Sequence, residues 1–269
     1  MKCPRRFRIL DTTLREGEQA PGVYFTPGQK VRIASALDAV GVDFIEVGNP
    51  MAAAAIAEAV RKVVAMKLSA IIGAHARCRI EDVDAALACG VGLIGIFLSV
   101  ADKRLRLDYG LRFSQALELI QGIVAYIKAQ DSRVLVRYTP EDTVRSEFAH
   151  VVEASAAAVE AGADIISIAD TTGHMTPARA DNLGTFVAEL KAALAARGLS
   201  PLLEVHCHND RGLALANALQ ACAAGADIVD ASVLGIGERT GIVDLAQLAL
   251  NLSELVGGSS PWRFDRLAD

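Results

Sequence analysis

The sequence predicts an α/β fold in which eight parallel strands, each followed by a helix, close into a single (β/α)8 barrel. Three observations predict it. Short β-rich runs alternate with longer alanine-rich segments along the 269 residues, eight such runs can be counted, and one helix-to-strand junction recurs four times. An open Rossmann-type sheet would need G-x-G-x-x-G after the first strand, and the segment LDTTLREGEQ at 10–19 lacks it. We therefore expect a closed barrel in one domain.

The eight predicted strands are short runs of aliphatic residues bounded by glycine, proline or polar residues. In chain order they span 7–11, 43–47, 69–73, 93–98, 134–138, 165–169, 202–206 and 228–232.

Helical spacing of apolar residues marks the segments between the strands. It is visible at 28–40, 147–161, 177–196, 212–223 and 245–256. Four strands begin in the same way, with a glycine that ends the preceding helix and an apolar run that follows it. These junctions read GVDFIEV at 41–47, GVGLIGI at 90–96, GADIISI at 162–168 and GADIVDA at 225–231. A repeated junction of this kind is typical of a parallel sheet built with right-handed crossovers.

The charge balance argues against a nucleic-acid or anionic membrane partner. Lys plus Arg is 27 and Asp plus Glu is 32, which gives a net charge of −5. The most apolar stretch, 51–60, is interrupted by Glu58 and is too short to span a membrane. The five cysteines are odd in number and include no Cys-x-x-Cys pair. Free thiols in a reducing compartment, the cytoplasm, are the prediction.

In a barrel of this type, chemistry is expected at the carboxyl ends of the strands. Polar residues are concentrated there along the whole sequence. They include Asp11, Arg15, Glu16 and Gln19 after the first strand, Glu46, His75, Arg137 and Thr139 at the next ones, and Asp170, Thr171, His206, His208, Glu238 and Arg239 at the last three.

The segment LLEVHCHND at 202–210 predicts a metal site. Residues two apart on a strand point to the same side, so His206 and His208 would project into one space, and Glu16 could add a carboxylate oxygen. The alternative is that one histidine ends a strand and the other lies in solvent, which is the commoner outcome for an isolated H-x-H. Two of only five histidines fall at this strand end, which favours a metal.

Two further segments carry candidate chemistry. Arg15, next to Glu16, could donate to a developing oxyanion, or the pair could form a surface ion pair on a capped turn. The glycine-rich GIGERTG at 235–241 could bind an anion through backbone N–H groups. For Asp11, Asp170, Asn209, Asp210 and Glu238, capping of a helix or pairing with an arginine is an equal alternative to catalysis.

Together, LREGEQ with Lys30, HCHNDRGLALAN at 206–217 and GIGERTG resemble the signatures of the homocitrate synthase and 2-isopropylmalate synthase family, the DRE-type TIM-barrel metallo-enzymes. The resemblance covers about 7–256. It implies condensation of acetyl-CoA with a 2-oxo acid on a divalent metal, Zn, Mg or Mn. The 3-hydroxy-3-methylglutaryl-CoA lyases share the barrel, but they carry a cysteine in the glycine loop that 235–241 lacks.

The resemblance also implies a role for each candidate residue. Arg137 matches the arginine that receives the far carboxylate of 2-oxoglutarate. Gly95 stands where the family has an acidic pocket residue. Glu16 and Ile242, where isopropylmalate synthases have Asp and a metal-associated Asn, place the chain closest to homocitrate synthase. The implied metal ligands are Glu16, His206 and His208, the catalytic residues Arg15, Gln19 and Glu46, and the substrate-binding residues His75, Arg137, Thr139 and Thr171.

The expected organisation is a catalytic barrel over 1–257 and the start of a linker or C-terminal tail over 258–269. Full synthases of this family continue into a helical subdomain that packs over a neighbour's active site, so a homodimer is expected. Two alternatives stay open: a metal-dependent carbon–carbon lyase, and a barrel that needs a partner to supply its missing lid.

Overall fold

The computed structural model describes residues 7–256 and 262–266. Eight parallel strands are hydrogen-bonded in chain order, and β1 pairs with β8 to close the barrel. The predicted (β/α)8 barrel is confirmed. The strands are β1 Arg8–Asp11, β2 Phe44–Glu46, β3 Ile71–Arg77, β4 Leu93–Phe97, β5 Leu135–Thr139, β6 Ile165–Asp170, β7 Leu202–Cys207 and β8 Ile228–Ala231.

Helices surround the barrel. Among the described residues, none of them is long and apolar enough to cross a bilayer. A π-helical turn, Leu105–Tyr109, continues the short α4. The helices are α1 Pro27–Val40, α2 Ala54–Ala65, α3 Ile80–Leu87, α4 Asp102–Arg104, α5 Phe113–Gln130, α6 Phe148–Glu160, α7 Leu183–Ala195, α8 Ala214–Ala224 and α9 Leu245–Val256.

Two predicted boundaries are wrong. The segment predicted as helix over 177–196 is helical only over Leu183–Ala195, because the Asn182 side chain accepts a hydrogen bond from the Thr185 N–H and starts the helix there. Strand β3, predicted over 69–73, runs from Ile71 to Arg77. His75 therefore lies inside a strand, paired with Gly95 of β4, rather than after the strand.

The four junction glycines have the conformation that their position requires. Gly41, Gly90, Gly162 and Gly225 all have positive φ, between 74° and 128°. A left-handed residue ends a helix with little steric penalty only when it lacks a Cβ. The repeated glycines therefore turn the chain from each helix into the next strand, as the sequence predicts.

The inside of the barrel is divided into two layers. Near the amino-terminal ends of the strands, the inward side chains form an apolar floor of Leu10, Phe44, Leu93, Leu135, Ile165, Leu202 and Ile228. Because side chains alternate along a strand, the inward positions two residues further on form the next layer. These positions are mostly polar, and they include Glu46, Arg137, Ser167, Glu204 and Asp230. The mouth of the barrel lies above this buried polar layer.

Part of the predicted tail 258–269 lies outside the described residues. In the described part, the Arg263 N–H donates to the Val40 carbonyl at the end of α1, and Trp262 is buried. The segment 262–266 therefore packs against the barrel.

Candidate metal centre and active site

A cavity opens at the carboxyl ends of the strands, where the polar residues of the sequence were expected to meet. Nine of the ten predicted site residues line it, and the tenth, Glu46, lies beneath them. The nine are Arg15, Glu16, Gln19, His75, Arg137, Thr139, Thr171, His206 and His208.

Glu16, His206 and His208 converge on one point of this cavity. One ligand atom from each lies within 4.8 Å of the others, and the Nε2 atoms of the two histidines are 3.2 Å apart. Two nitrogens bound to one tetrahedral zinc ion at about 2.1 Å would lie roughly 3.4 Å apart. The spacing of the two imidazoles therefore fits a shared ion.

The surroundings of the histidines also fit a metal. His206 Nδ1 is 2.8 Å from the Asp230 carboxylate, which fixes the ring so that Nε2 faces His208. Burial, together with repulsion from His206, lowers the pKa of His208 to about 4. Burial also lowers the pKa of His206. Both rings are therefore neutral near pH 7 and can offer a nitrogen lone pair to a cation.

Glu16 is held by the glycine loop that follows β8. Its Oε1 accepts a hydrogen bond of 2.9 Å from the Glu238 N–H, and a Cβ at Gly237 would lie 2.9 Å from Glu16 Cγ. A backbone without a side chain at 237 is what lets the carboxylate approach. The anion that this loop binds through a backbone N–H is thus an internal one, the Glu16 carboxylate.

Arg15 links the metal ligand to the residues below it. Its Nε donates to Glu46 Oε2 at 2.6 Å, and its Nη1 donates to Glu16 and to Gln19 Oε1. Burial acts to lower the pKa of Arg15, but the carboxylates of Glu46 and Glu16 raise it above its ordinary value. Burial acts to raise the pKa of Glu16, but the Arg15 charge holds it at about 2. The pair is ionised at neutral pH, Glu16 is buried and the Arg15 side chain is only 15% exposed, so this is not the surface ion pair of the alternative interpretation.

Arg137 lies in the buried polar layer with three carboxylates around it. Its Nη2 is 2.5 Å from Glu46 Oε1, and its Nη1 is 2.9 Å from Glu204 Oε1 and 3.7 Å from Asp230. Burial raises the pKa of Glu204 to about 8 and that of Asp230 to about 6, against the charge of Arg137. One cation does not compensate for three buried carboxylates, so two of them hold their protons to a higher pH than usual.

The guanidinium of Arg137 lies against the backbone of β4. A Cβ built at Gly95 would be 2.7 Å from Arg137 Nη2 and 2.9 Å from Nε. Within the described chain, Arg137 Nε has no hydrogen-bond partner. Because residue 95 has no side chain, the guanidinium of Arg137 can occupy this space.

The other predicted substrate residues lie around the same cavity. The His75 ring stacks on Phe97 with centroids 4.7 Å apart, and its Nδ1 is 3.2 Å from Glu46 Oε1. Thr139 ends β5 at the cavity wall. The Thr171 hydroxyl accepts a hydrogen bond from the Asp142 N–H, so it also joins two loops.

Three of the acidic residues accept hydrogen bonds within the fold, and of these three only Asp210 pairs with an arginine as the alternative interpretation expects. Asp11 accepts hydrogen bonds from the N–H and hydroxyl of Thr13, and Asp170 accepts from the N–H groups of His174 and Met175. Asp210 pairs with Arg239.

Glu204 and Asp230 also belong to the site, although they were not predicted from the sequence. A signal for Glu204 was present, because it lies two residues before His206 on the same face of β7. Asp230 is flanked by apolar residues in β8 and has no comparable neighbour in sequence.

Comparisons with known proteins agree with the motifs. A family model described as HMGL-like matches residues 6–267. A homocitrate synthase of Pyrococcus abyssi is 45% identical over 89% of this chain and 63% of its own length. A probable 2-isopropylmalate synthase of Methanopyrus kandleri is 41% identical over 94% of this chain and 48% of its own length.

A solved structure shares the fold. The HMG-CoA lyase of Bacillus subtilis superimposes with a TM-score of 0.80 at 21% identity, over 99% of this chain and 92% of that one.

The chain spans about half to two thirds of the length of the curated synthases that it matches. The resemblance to the homocitrate and 2-isopropylmalate synthases is confirmed, and the chain belongs to the HMGL-like family.

Proposed function

We propose that this protein is an acyltransferase that condenses acetyl-CoA with a 2-oxo acid in a divalent-metal-dependent, Claisen-type reaction. The favoured acceptor is a dicarboxylic acid resembling 2-oxoglutarate. The observation that carries the proposal is the convergence of Glu16, His206 and His208 beside Arg15 at the mouth of the barrel. The similarity to homocitrate and 2-isopropylmalate synthases supports the same class of reaction.

In the proposed reaction, a carbon–carbon bond forms between the acetyl methyl carbon and the oxo carbon of the acceptor. The methyl group loses a proton, and the oxo oxygen ends as a hydroxyl. Hydrolysis of the thioester then consumes one water and releases the CoA thiol. The thiol gives the reaction a simple readout.

Glu16, His206 and His208 would hold the ion, which could be Zn²⁺, Mg²⁺ or Mn²⁺. When bound, the ion would act as a Lewis acid on the oxo group. Arg15 stays cationic beside it, and its Nη2 is not used in the bonds to Glu46, Glu16 and Gln19. That nitrogen is therefore placed to donate to the oxygen on which charge develops. Glu46 orients Arg15, Arg137 and His75 from below.

The acceptor's far carboxylate would be bound at the Arg137 end of the cavity, with Thr139, Thr171 and His75 on its walls. Support comes from the cationic guanidinium of Arg137, which lines the cavity and whose Nε has no hydrogen-bond partner among the described residues. A guanidinium gives orientation as well as charge to a carboxylate.

Three proposals concern the molecule as a whole. We propose that it forms a homodimer, because it resembles synthases whose lid covers a neighbouring subunit. We propose that the barrel ends near residue 257 and that a linker follows it. We also propose a cytoplasmic location, supported by the free, buried thiols of Cys78, Cys89 and Cys207.

The test is a thiol-release assay with acetyl-CoA and a panel of 2-oxo acids, in the presence of Zn²⁺, Mg²⁺ or Mn²⁺ and after chelation. We expect release that depends on both the metal and the 2-oxo acid, with dicarboxylic acids the best acceptors. His208→Ala should lower the rate by at least about 100-fold, because a ligand of the ion is lost. Arg179→Gln, at an exposed ion pair that does not line the cavity, is the matched control.

Two outcomes would contradict the proposal. Cleavage of a 3-hydroxyacyl-CoA without thiol release from acetyl-CoA would assign the barrel to the lyases. Metal binding without turnover would assign it to barrels that depend on a partner for their lid.

A further inference from the structure

The side chain of Arg239 joins three loops at the mouth of the barrel. Its Nε and Nη2 donate to the two carboxylate oxygens of Asp210, at 2.8 and 2.9 Å, and its Nη2 also donates to the Thr171 carbonyl at 2.7 Å. Thr171 follows β6, Asp210 follows β7 and Arg239 follows β8. One guanidinium thus holds the ends of three consecutive strands together.

The backbone at Arg239 has an unusual conformation. Its φ is +58°, in the left-handed region that residues with a Cβ rarely adopt. Such a conformation persists only when the surrounding contacts enforce it. At Arg239 those contacts are the bidentate pair with Asp210 and the bond to the Thr171 carbonyl.

Both ends of this link are next to metal ligands. Glu238, the residue before Arg239, gives its N–H to Glu16 Oε1, and Asp210 lies two residues after His208. A second bond, from the Asn209 N–H to the Gly241 carbonyl, runs between the same two loops. The position of the Glu16 carboxylate and that of the His208 ring therefore depend on how these two loops are held.

We propose that Arg239 is a positioning residue for the metal centre, which preorganises Glu16 and His208 by fixing the β8 loop against the β7 and β6 loops. The inference rests on the proposed function in one respect, namely that a divalent ion binds Glu16, His206 and His208. Residues that orient metal ligands typically contribute 10–100-fold to metal affinity.

An exposed arginine elsewhere in the chain shows what an ordinary surface pair looks like. Arg179 also makes a bidentate pair, with Asp181, but the two are only two residues apart in one loop and both are more than half exposed. Arg239 and Asp210 are 29 residues apart, and their side chains are 37% and 25% exposed. Arg179→Gln is thus a matched control for loss of a bidentate guanidinium without loss of a link between loops.

The experiment measures the Zn²⁺ dissociation constant of the full chain by competition with a chromophoric chelator. We expect about 10–100-fold weaker binding for Arg239→Gln, and a smaller loss for Arg239→Lys, which keeps the charge but not the fork of donors. Arg239→Gly removes the side chain, and glycine readily adopts the left-handed backbone conformation of this position. This variant should also bind Zn²⁺ more weakly than the wild type. Arg179→Gln should bind as the wild type does.

A second variant approaches the link from its other end. Asp210→Asn should weaken Zn²⁺ binding as Arg239→Gln does, and the double variant should be no weaker than the worse single one, because both remove the same interaction. Circular dichroism establishes that each variant is folded at the temperature of the titration.

Wild-type affinity in folded Arg239→Gln and Arg239→Gly, with binding abolished in His208→Ala, would overturn the positioning role and leave the metal site intact. A lower melting temperature with unchanged Zn²⁺ affinity would overturn it as well, since the link would then serve only stability. A wild-type protein that binds Zn²⁺ no better than His208→Ala would overturn the metal site itself, and this inference with it.

Discussion

Arg137 brings a positive charge into the barrel between Glu46, Glu204 and Asp230, and the absence of a side chain at Gly95 makes room for it. The contact depends on the register of β4 and β5, which places Gly95 and Arg137 side by side. A methyl group at 95 would therefore move the guanidinium before it moved the backbone. The pairing of Arg137 with two glutamates would change with it.

We predict that Gly95→Ala raises the KM for a dicarboxylic 2-oxo acid by at least about tenfold and lowers the free energy of unfolding by about 1–3 kcal/mol, the usual range for overpacking. Steady-state thiol release and urea denaturation measure the two effects. Gly122→Ala in α5 is the control, because a Cβ there would meet nothing within 4 Å, and it should leave KM unchanged. An unchanged KM in Gly95→Ala would show that the position of Arg137 does not determine substrate binding.

At the scale of elements, one buried lysine ties α1 to two strand ends. The Nζ of Lys30 donates to the carbonyls of Leu14 and Val47, at 2.7 and 2.8 Å, and to the Glu18 carboxylate at 2.7 Å. Burial lowers the pKa of Lys30, although Glu18 opposes the shift. The loop after β1, which contains Leu14, also carries Arg15 and Glu16, so the helix supports the site through this one ammonium group.

We predict that Lys30→Met lowers the free energy of unfolding by about 3 kcal/mol, because it leaves two buried carbonyls and a carboxylate without their donor. Urea unfolding followed by circular dichroism gives the value. Lys62→Met, in the exposed Glu58–Lys62 pair of α2, serves as the comparison and should match the wild type within error. Equal stability of the two variants would show that Lys30 is not a structural tie.

The elements that could be predicted from the sequence are those with a local signal. The four glycine junctions and the alternation of β-rich and alanine-rich segments are local, and they predicted all eight strands. The start of α7 was wrong because the side chain of Asn182, rather than the apolar period, decides it. His206 lies in β7 and His208 directly follows its last residue, so their spacing of two residues made their convergence predictable as well.

Side-chain contacts between different strands could not be predicted in this way. The meeting of Arg137 with Glu204 and Asp230, or of Arg137 with Gly95, follows from the stagger of strands around the closed barrel, which no single segment encodes. The motif resemblance supplied Arg137 as a site residue, but not its buried carboxylate partners.

At the scale of the whole molecule, the packing of helices on the barrel encloses the thiols. Cys78, Cys89, Cys207 and Cys222 are all buried. Burial raises the pKa of Cys78 to about 12, and it raises the pKa of Cys207 and Cys89 too. A group whose pKa is raised stays protonated to higher pH, so at pH 8 only about one Cys78 thiol in ten thousand is ionised.

We predict that native Cys3→Ser protein, which lacks the one cysteine outside the described residues, shows no thiol that reacts with Ellman's reagent within minutes at pH 8. All four thiols should react after unfolding in guanidinium chloride. Reaction of one thiol or more in the folded variant, with the circular dichroism unchanged, would mean that the core opens locally around it.

The apolar floor of the barrel limits how ligands can enter and leave the cavity. Seven apolar side chains, from Leu10 to Ile228, fill the barrel interior below the charged residues. In the described part of the chain, the cavity is therefore closed at its inner end and does not form a channel. Ligands that bind one above another in such a cavity must dissociate in the reverse of the order in which they bound. In the reaction proposed above, the cation would therefore bind first and the 2-oxo acid second, and the acyl-CoA would bind last and leave first.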